Sequence, residues 1–222
     1  MRDRRLLVAT DFGPAAEAAL RLAARIAAGD PAAEVVLLHA LAGGADDAGY
    51  ARAEEACLAL TRQVEEAGGA ASSTLVLRLE PPGALIPNSA RELRATLVLI
   101  GRRAGEASPG AVARAALRSS PAPLAIVGDG WREPRRVALP PASRDDAAAW
   151  GAWLGRALGI PAEPAPDGAQ GPGTLLLGDL RDSPPLARSL ELETLLSSVP
   201  PDGAVLALLE SAHAPPGLAS SA

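Results

Sequence analysis

Lysine is missing from this chain altogether: every one of its 21 basic side chains is an arginine. Chemistry that runs through a primary amine is thereby excluded, whether the lysine of a phosphate-binding loop, the phosphate-pairing lysine of a protein kinase or a Schiff base. Cysteine is nearly missing too. With Cys57 alone, neither an internal disulfide nor a multi-cysteine zinc site can form, no metal site is expected, and a reducing compartment fits. Aromatic residues make up 2% of the chain, and the three tryptophans, Trp131, Trp150 and Trp153, all lie in its second part. So few rings leave no stacking platform for bases, and the net charge of −5 comes with no basic block, so nucleic acid is not an expected partner. Long apolar runs are absent as well. No segment approaches a membrane span, and MRDRRLLVATDFG has too short an apolar run for a secretory leader, so a cytoplasmic location is expected.

What remains is an aliphatic chain of 222 residues, 48% hydrophobic, long enough for two modest domains. Arg5 to Thr10 reads as a short strand that ends at Asp-Phe-Gly-Pro, where Pro14 suits the first turn of a helix running to Ala28. Gly29-Asp-Pro31 closes that helix before a second strand, Ala33 to Ala40. A helix from about Ala51 to Ala67, a strand from Thr74 to Leu79, and a helix from Ala84 to Leu93 with Pro87 limiting its start come next. Leu97 to Ile100 is a fourth strand, Ala111 to Arg118 a fourth helix and Pro123 to Val127 a fifth strand. Strands alternating with helices predict an α/β fold with an open parallel sheet covered on both faces, because each parallel crossover needs a helix-sized connection.

Residues 4 to 128 resemble the universal stress protein family. The resemblance rests on LLVATDFGPAAEAAL at the start, EVVLLHAL as the second strand and LRSSPAPLAIV at the end, in that order and at compatible distances. It implies an open five-stranded parallel sheet of the adenine-nucleotide alpha-hydrolase-like kind, with a crevice between the first and fourth strands. Open parallel sheets bind ligands at the carboxyl ends of strands where the strand order reverses. In the nucleotide-binding branch of the family, an aspartate after the first strand lies by the adenosine. A glycine pattern after the fourth strand holds the phosphates: glycine, two residues, glycine, nine residues, glycine, then serine or threonine. Carried onto this chain, a nucleotide pocket would draw on Asp11, Phe12, Gly13 and His39, and on Gly101, Arg102, Arg103, Gly105, Gly110 and Ala111.

That glycine pattern is broken here. Counted from Gly101, its later glycines fall on Ala104 and Arg114. Counted back from Leu117-Arg-Ser-Ser-Pro121, its last glycine is Gly110, and the hydroxyl position is Ala111. The connection from Gly101 to Gly110 is four residues shorter than the pattern, so even with Gly105 present the backbone cannot trace the same cradle. Arg102 and Arg103 are solvated, or paired with acids such as Glu106, or else substitute as phosphate contacts.

Other residues carry bland readings beside sharper ones. Asp11 either touches a ligand or caps the helix that starts near Pro14. His39, at the end of a buried strand, reads as packing rather than catalysis. Asp11-Phe12-Gly13 spells a kinase tripeptide without the rest of the kinase set. Cys57, with Leu58 and Leu60 nearby, reads as a small buried hydrophobe. No catalytic triad or carboxylate pair can be assembled, so no enzymatic activity is expected.

After Gly128-Asp-Gly-Trp-Arg-Glu-Pro134 the chain starts again: Arg135 to Leu139 echoes the first strand and Asp145 to Leu158 the first helix. Thr174 to Gly178 echoes the fourth strand, and Leu195 to Pro201 with Ala204 to Leu209 echo the approach to the fifth. The stretch between Gly159 and Thr174, rich in proline and glycine, is too short for the missing helices and third strand. The expectation is therefore a universal stress protein-like domain over 1–130, a reduced, degenerate copy over 131–213 and a flexible tail over 214–222. In the copy, Ala142 stands where Asp11 does, and the loop from Gly178 to Pro184 has no glycine run. Leu124 to Val127 and Val205 to Leu209 are expected to pair antiparallel about a pseudo-twofold axis, the alternative being two domains strung on a linker, and the same last strands are the expected surface for protein partners or self-association. The resulting expectation is a non-catalytic stress-response or regulatory protein without tight ATP binding and with no cofactor. The alternative is an ATP- or AMP-binding member of the family that uses a variant pocket.

Overall fold

The computed structural model describes residues 3–41, 45–77, 82–103, 110–139, 145–164, 174–180, 191, 194–195 and 204–209. The first part of the chain forms β1 (Arg4–Thr10), α1 (Pro14–Gly29), β2 (Ala33–Leu41), α2 (Asp47–Glu66), β3 (Ala71–Leu77), α3 (Pro82–Glu92), β4 (Leu97–Arg102), α4 (Ala111–Ser119) and β5 (Leu124–Gly128). The second forms β6 (Arg136–Leu139), α5 (Asp145–Leu158), β7 (Ala162–Pro164), β8 (Thr174–Asp179) and β9 (Ala204–Leu208). Gly105, Ala142, residues 165–173, the loop beyond Leu180 and the tail over 214–222 lie outside the described residues.

The strands are continuous apolar runs because both faces of the sheet are covered. Leu6 and Val8 of β1 enter one core and Leu7 the other, and the same alternation holds for Leu97, Leu99 against Val98, Ile100 in β4. One core is roofed by α1, α2 and α5, through residues such as Ile26, Val64 and Trp150. The other is roofed by α3 and α4, through Ile86, Ala90, Ala116 and Leu117.

The sheet does not stop at five strands. Its order is β3-β2-β1-β4-β5-β9-β8-β6-β7, nine strands in one sheet, and every neighbouring pair is parallel except β5 with β9. That pair is antiparallel, with Leu124 opposite Ala207, Ala125 opposite Leu206, Ile126 opposite Val205 and Val127 opposite Ala204. Two bare, fully apolar edges thus satisfy each other inside one chain, and β5 and β9 are both interior strands with no ladder left for another molecule. Read outward from this seam, one wing runs β5-β4-β1-β2-β3 and the other β9-β8-β6-β7. Both cores cross the seam: Leu6 and Leu37 share one with Trp150 and Leu206, and Leu7 and Ile126 share the other with Leu176 and Val205.

Several boundaries differ from the sequence reading. Pro87 lies in the middle of α3 instead of limiting its start; its missing N–H forfeits one intrahelical bond, and the neighbouring Leu85 and Ile86 are buried. β3 begins at Ala71, three residues before Thr74, because its ladder with β2 extends back to Val35 opposite Ala71. α2 starts at Asp47, where the Asp46 side chain accepts from the Gly49 N–H at 2.7 Å and caps the helix. Gly101 and Arg102 continue β4 and are not loop residues. The short edge strand β7, unexpected from the sequence, adds to β6 with Val137 opposite Ala162, and Pro164 ends it where the outer ladder is unpaired.

Candidate functional site

The chain leaves β1 toward β2 and leaves β4 toward β5, so the strand order reverses between β1 and β4 and opens a crevice at their carboxyl ends. A cavity of about 450 Å³ fills it. Its polar rim comes from Thr10 and Asp11 after β1, His39 near the end of β2, and Arg103 after β4. Leu38, Leu85, Ile86, Ile100 and Val112 give it apolar walls, and Gly110 with Ala111 presents the start of α4.

Local geometry fixes the β1 corner. The Phe12 N–H donates to Thr10 Oγ1 and the Gly13 N–H to Asp11 Oδ1, both at 2.9 Å. Phe12 takes φ of 61°, the left-handed region that side chains rarely occupy. Its ring stacks on His39 with centroids 4.2 Å apart, and His39 Nδ1 donates to the Thr10 carbonyl oxygen at 2.8 Å. A carbonyl oxygen only accepts, so Nδ1 carries a proton in this bond. His39 is therefore a strut tying β2 to the β1 turn as well as a wall of the cavity. Asp11 holds the turn, while the N-cap of α1 is Gly13, which has no side-chain cap.

The two glycines flanking the β4 connection differ in kind. A methyl group on Gly101 would overlap the backbone of Ala15 and Ala16, so glycine there is required by the close approach of α1 to β4. At Gly110 a Cβ would meet nothing within 4 Å, and φ is −56°. Packing does not require a glycine at that position. As N-cap of α4, Gly110 offers no side-chain acceptor to the first N–H groups of the helix.

Of the residues expected to gather here, Asp11, His39, Gly101, Arg103, Gly110 and Ala111 line the cavity. Phe12 backs His39, Gly13 starts α1, and Arg102 ends β4 without lining the cavity. The sequence reading missed the apolar walls. Leu85 and Ile86 reach the crevice only because α3 folds over it, which no motif announces; Leu38 and Ala40 could have been found from their alternation about His39. The arrangement suits a ligand with a flat apolar body and an anionic end.

A model of the universal stress protein family matches residues 3–128. No curated protein matches the chain. Among solved structures, a universal stress protein from Archaeoglobus fulgidus in complex with dAMP is 26% identical, with 56% of this chain and 97% of that one covered and a TM-score of 0.48. A universal stress protein from Lactobacillus plantarum is 19% identical, covering 57% and 98%, with a TM-score of 0.48. A functionally unknown protein from Pseudomonas aeruginosa PAO1 is 11% identical but covers 93% of this chain and 92% of its own, with a TM-score of 0.58, so the two share a fold along nearly their whole length.

Proposed function

Because the chain belongs to the universal stress protein family, whose model spans more than half of it, we propose that it is a non-catalytic, cytoplasmic regulatory protein of the stress-response type that does not hold ATP tightly. The observation that carries this reading is the start of α4. There Ala111 stands in place of a hydroxyl residue and Gly110 supplies no cap, at the end of a connection four residues shorter than the family's phosphate loop. Backbone N–H groups and Arg103 can meet one anionic group, but a triphosphate needs the longer wrap. The mirrored strand orders about β5 and β9 support the further reading that the chain is a tandem, with a domain over 1–130, a reduced copy over 131–213 and a tail beyond.

The 450 Å³ cavity favours a second reading, in which the same crevice takes AMP or ATP through a variant pocket. Calorimetric titration of the full chain with ATP and with AMP, each with magnesium, separates the two. Silence with ATP up to millimolar concentration supports the first reading, and micromolar ATP binding overturns it.

A further inference from the structure

The two edges of the sheet are built differently. One is β7, where Ala162-Glu163-Pro164 closes the ladder by its shortness, a carboxylate and a proline. The other is β3, whose 7 residues read ASSTLVL, with no charge and no proline. They stay in unbroken register with β2, from Val35 opposite Ala71 to Leu41 opposite Leu77. Among the described residues no strand pairs with the outer side of β3. The geometry points to β3 as a self-association edge, on which a second copy of this chain adds its own β3 antiparallel about a twofold axis.

The inner ladder fixes which backbone groups are on offer. The Val35 N–H donates to the Ala70 carbonyl at 2.8 Å, so Ala70 and every second residue after it turn their N–H and C=O groups toward β2. Ala71, Ser73, Leu75 and Leu77 therefore turn theirs to the open side. An antiparallel mate centred on Thr74 sets Ala71 opposite the other copy's Leu77 and Ser73 opposite the other copy's Leu75. Each such pair exchanges two hydrogen bonds, and this register uses every outward group of β3. The occupant is a second copy because the edge is complementary to itself: with no charged residue in β3, twofold pairing never sets like charge opposite like charge. The chain already joins two uncharged strands, β5 and β9, in antiparallel fashion. Since β3 runs parallel to β2, β1 and β4, the join points the crevices of the two copies toward opposite ends of the shared sheet.

One short ladder makes a small interface, so the dimer is expected at roughly tens to hundreds of micromolar. In the whole chain β5 and β9 are engaged with each other, so its association reports on β3 and not on the seam. The test is sedimentation of the whole chain across that range, with residue-resolved amide exchange at both ends of it. The mass should rise toward that of a dimer. The Ser73, Leu75 and Leu77 amides should exchange several-fold more slowly at the high end, while those of Ser72, Thr74 and Val76, bonded to β2, stay unchanged. Ser73→Pro removes an outward N–H and spares the inner ladder, so the variant should keep the parent's helix content and dimerise at least about tenfold more weakly. A chain that stays monomeric, outward amides already protected at low concentration, or exchange indifferent to concentration would overturn the proposal. So would a folded Ser73→Pro chain that dimerises like the parent. The exchange measurement decides on the parent chain alone, whatever the fold of the variant.

Discussion

The indole Nε1 of Trp153 donates to Asp30 Oδ2 at 2.7 Å, joining residues 123 positions apart. Asp30 is the C-cap residue of α1 and Trp153 lies in α5, so the bond ties the two wings of the sheet through their roofing helices. The same carboxylate accepts from Arg4 and, through Oδ1, from the Ala32 N–H. Trp153→Phe withdraws one donor from a buried acceptor and also trims a buried ring system, and should destabilise the chain by at least about 1–3 kcal/mol. Denaturant unfolding followed by circular dichroism measures it, and an unchanged midpoint would mean that neither the bond nor the packing of the indole holds the two helices together.

Acid should expose the same cluster. Burial favours the neutral form of Asp30, but hydrogen bonds from Trp153, the Ala32 N–H and Arg4, with the Arg4 charge, outweigh it and hold the carboxyl below its ordinary range. A depressed folded value means that the stabilisation is fully present above the unfolded value of about 3.9 and is lost as pH falls through the folded one. Asp30→Asn should start less stable at neutral pH and lose Tm less steeply between about pH 4 and pH 2. Parallel acid limbs in the two proteins would contradict the assignment.

Glycines separate close packing from open space. A methyl group at Gly29 would overlap the carbonyl oxygen of Ala157, where α1 and α5 meet, and Gly29→Ala should cost about 1–3 kcal/mol or more as the helices move apart. Gly110→Ala meets nothing within 4 Å and should stay within about 1 kcal/mol of the parent. Chemical denaturation of both variants checks the contrast; equal losses would mean that the α1 and α5 backbones are not in close approach.

How far these features could be read in advance depends on their range. Pro14 at a helix start, the apolar run from Leu97 to Ile100 and the repeat of Arg4 to Val8 at Arg135 to Leu139 are local signals, and the elements follow them closely. The crevice was legible at Asp11, His39 and Gly101 because the topology rule places strand ends there. Nothing local marks the walls at Leu85 and Ile86, which depend on how α3 lies over the sheet. Ala162 to Pro164 escaped because three residues with a proline carry no period, and only the neighbouring β6 makes them a strand. The Asp30 and Trp153 bond was equally invisible, since neither residue's neighbours in sequence predict the other.

If the missing hydroxyl at the start of α4 is what weakens phosphate binding, replacing it should help. Ala111→Ser adds a donor at a cavity-lining, exposed position, and one hydrogen bond to a charged group corresponds to about a tenfold gain or somewhat more. Calorimetry with ATP and AMP should show AMP affinity rising at least as much as ATP affinity, because the shortened connection still limits contact with the distal phosphates. A large gain confined to ATP would contradict that limit.

The seam gives the sharpest test of how the two wings depend on each other. In the whole chain, β5 is bonded to β4 on one side and to β9 on the other. A fragment covering residues 1–130 keeps the first ladder and loses the second, and its bare edge Leu124-Ala-Ile-Val127 carries no charge or proline to block pairing. An antiparallel partner is what that edge accepted, and a second fragment can offer the same strand by twofold symmetry. The fragment should therefore dimerise through β5 at micromolar concentration in sedimentation experiments, whereas the whole chain at the same concentration, with β5 already paired to β9, should not associate through that strand. A fragment that stays monomeric and unfolds cooperatively would show that β9 is a passenger on a complete domain, and that the antiparallel seam is not needed to cover β5.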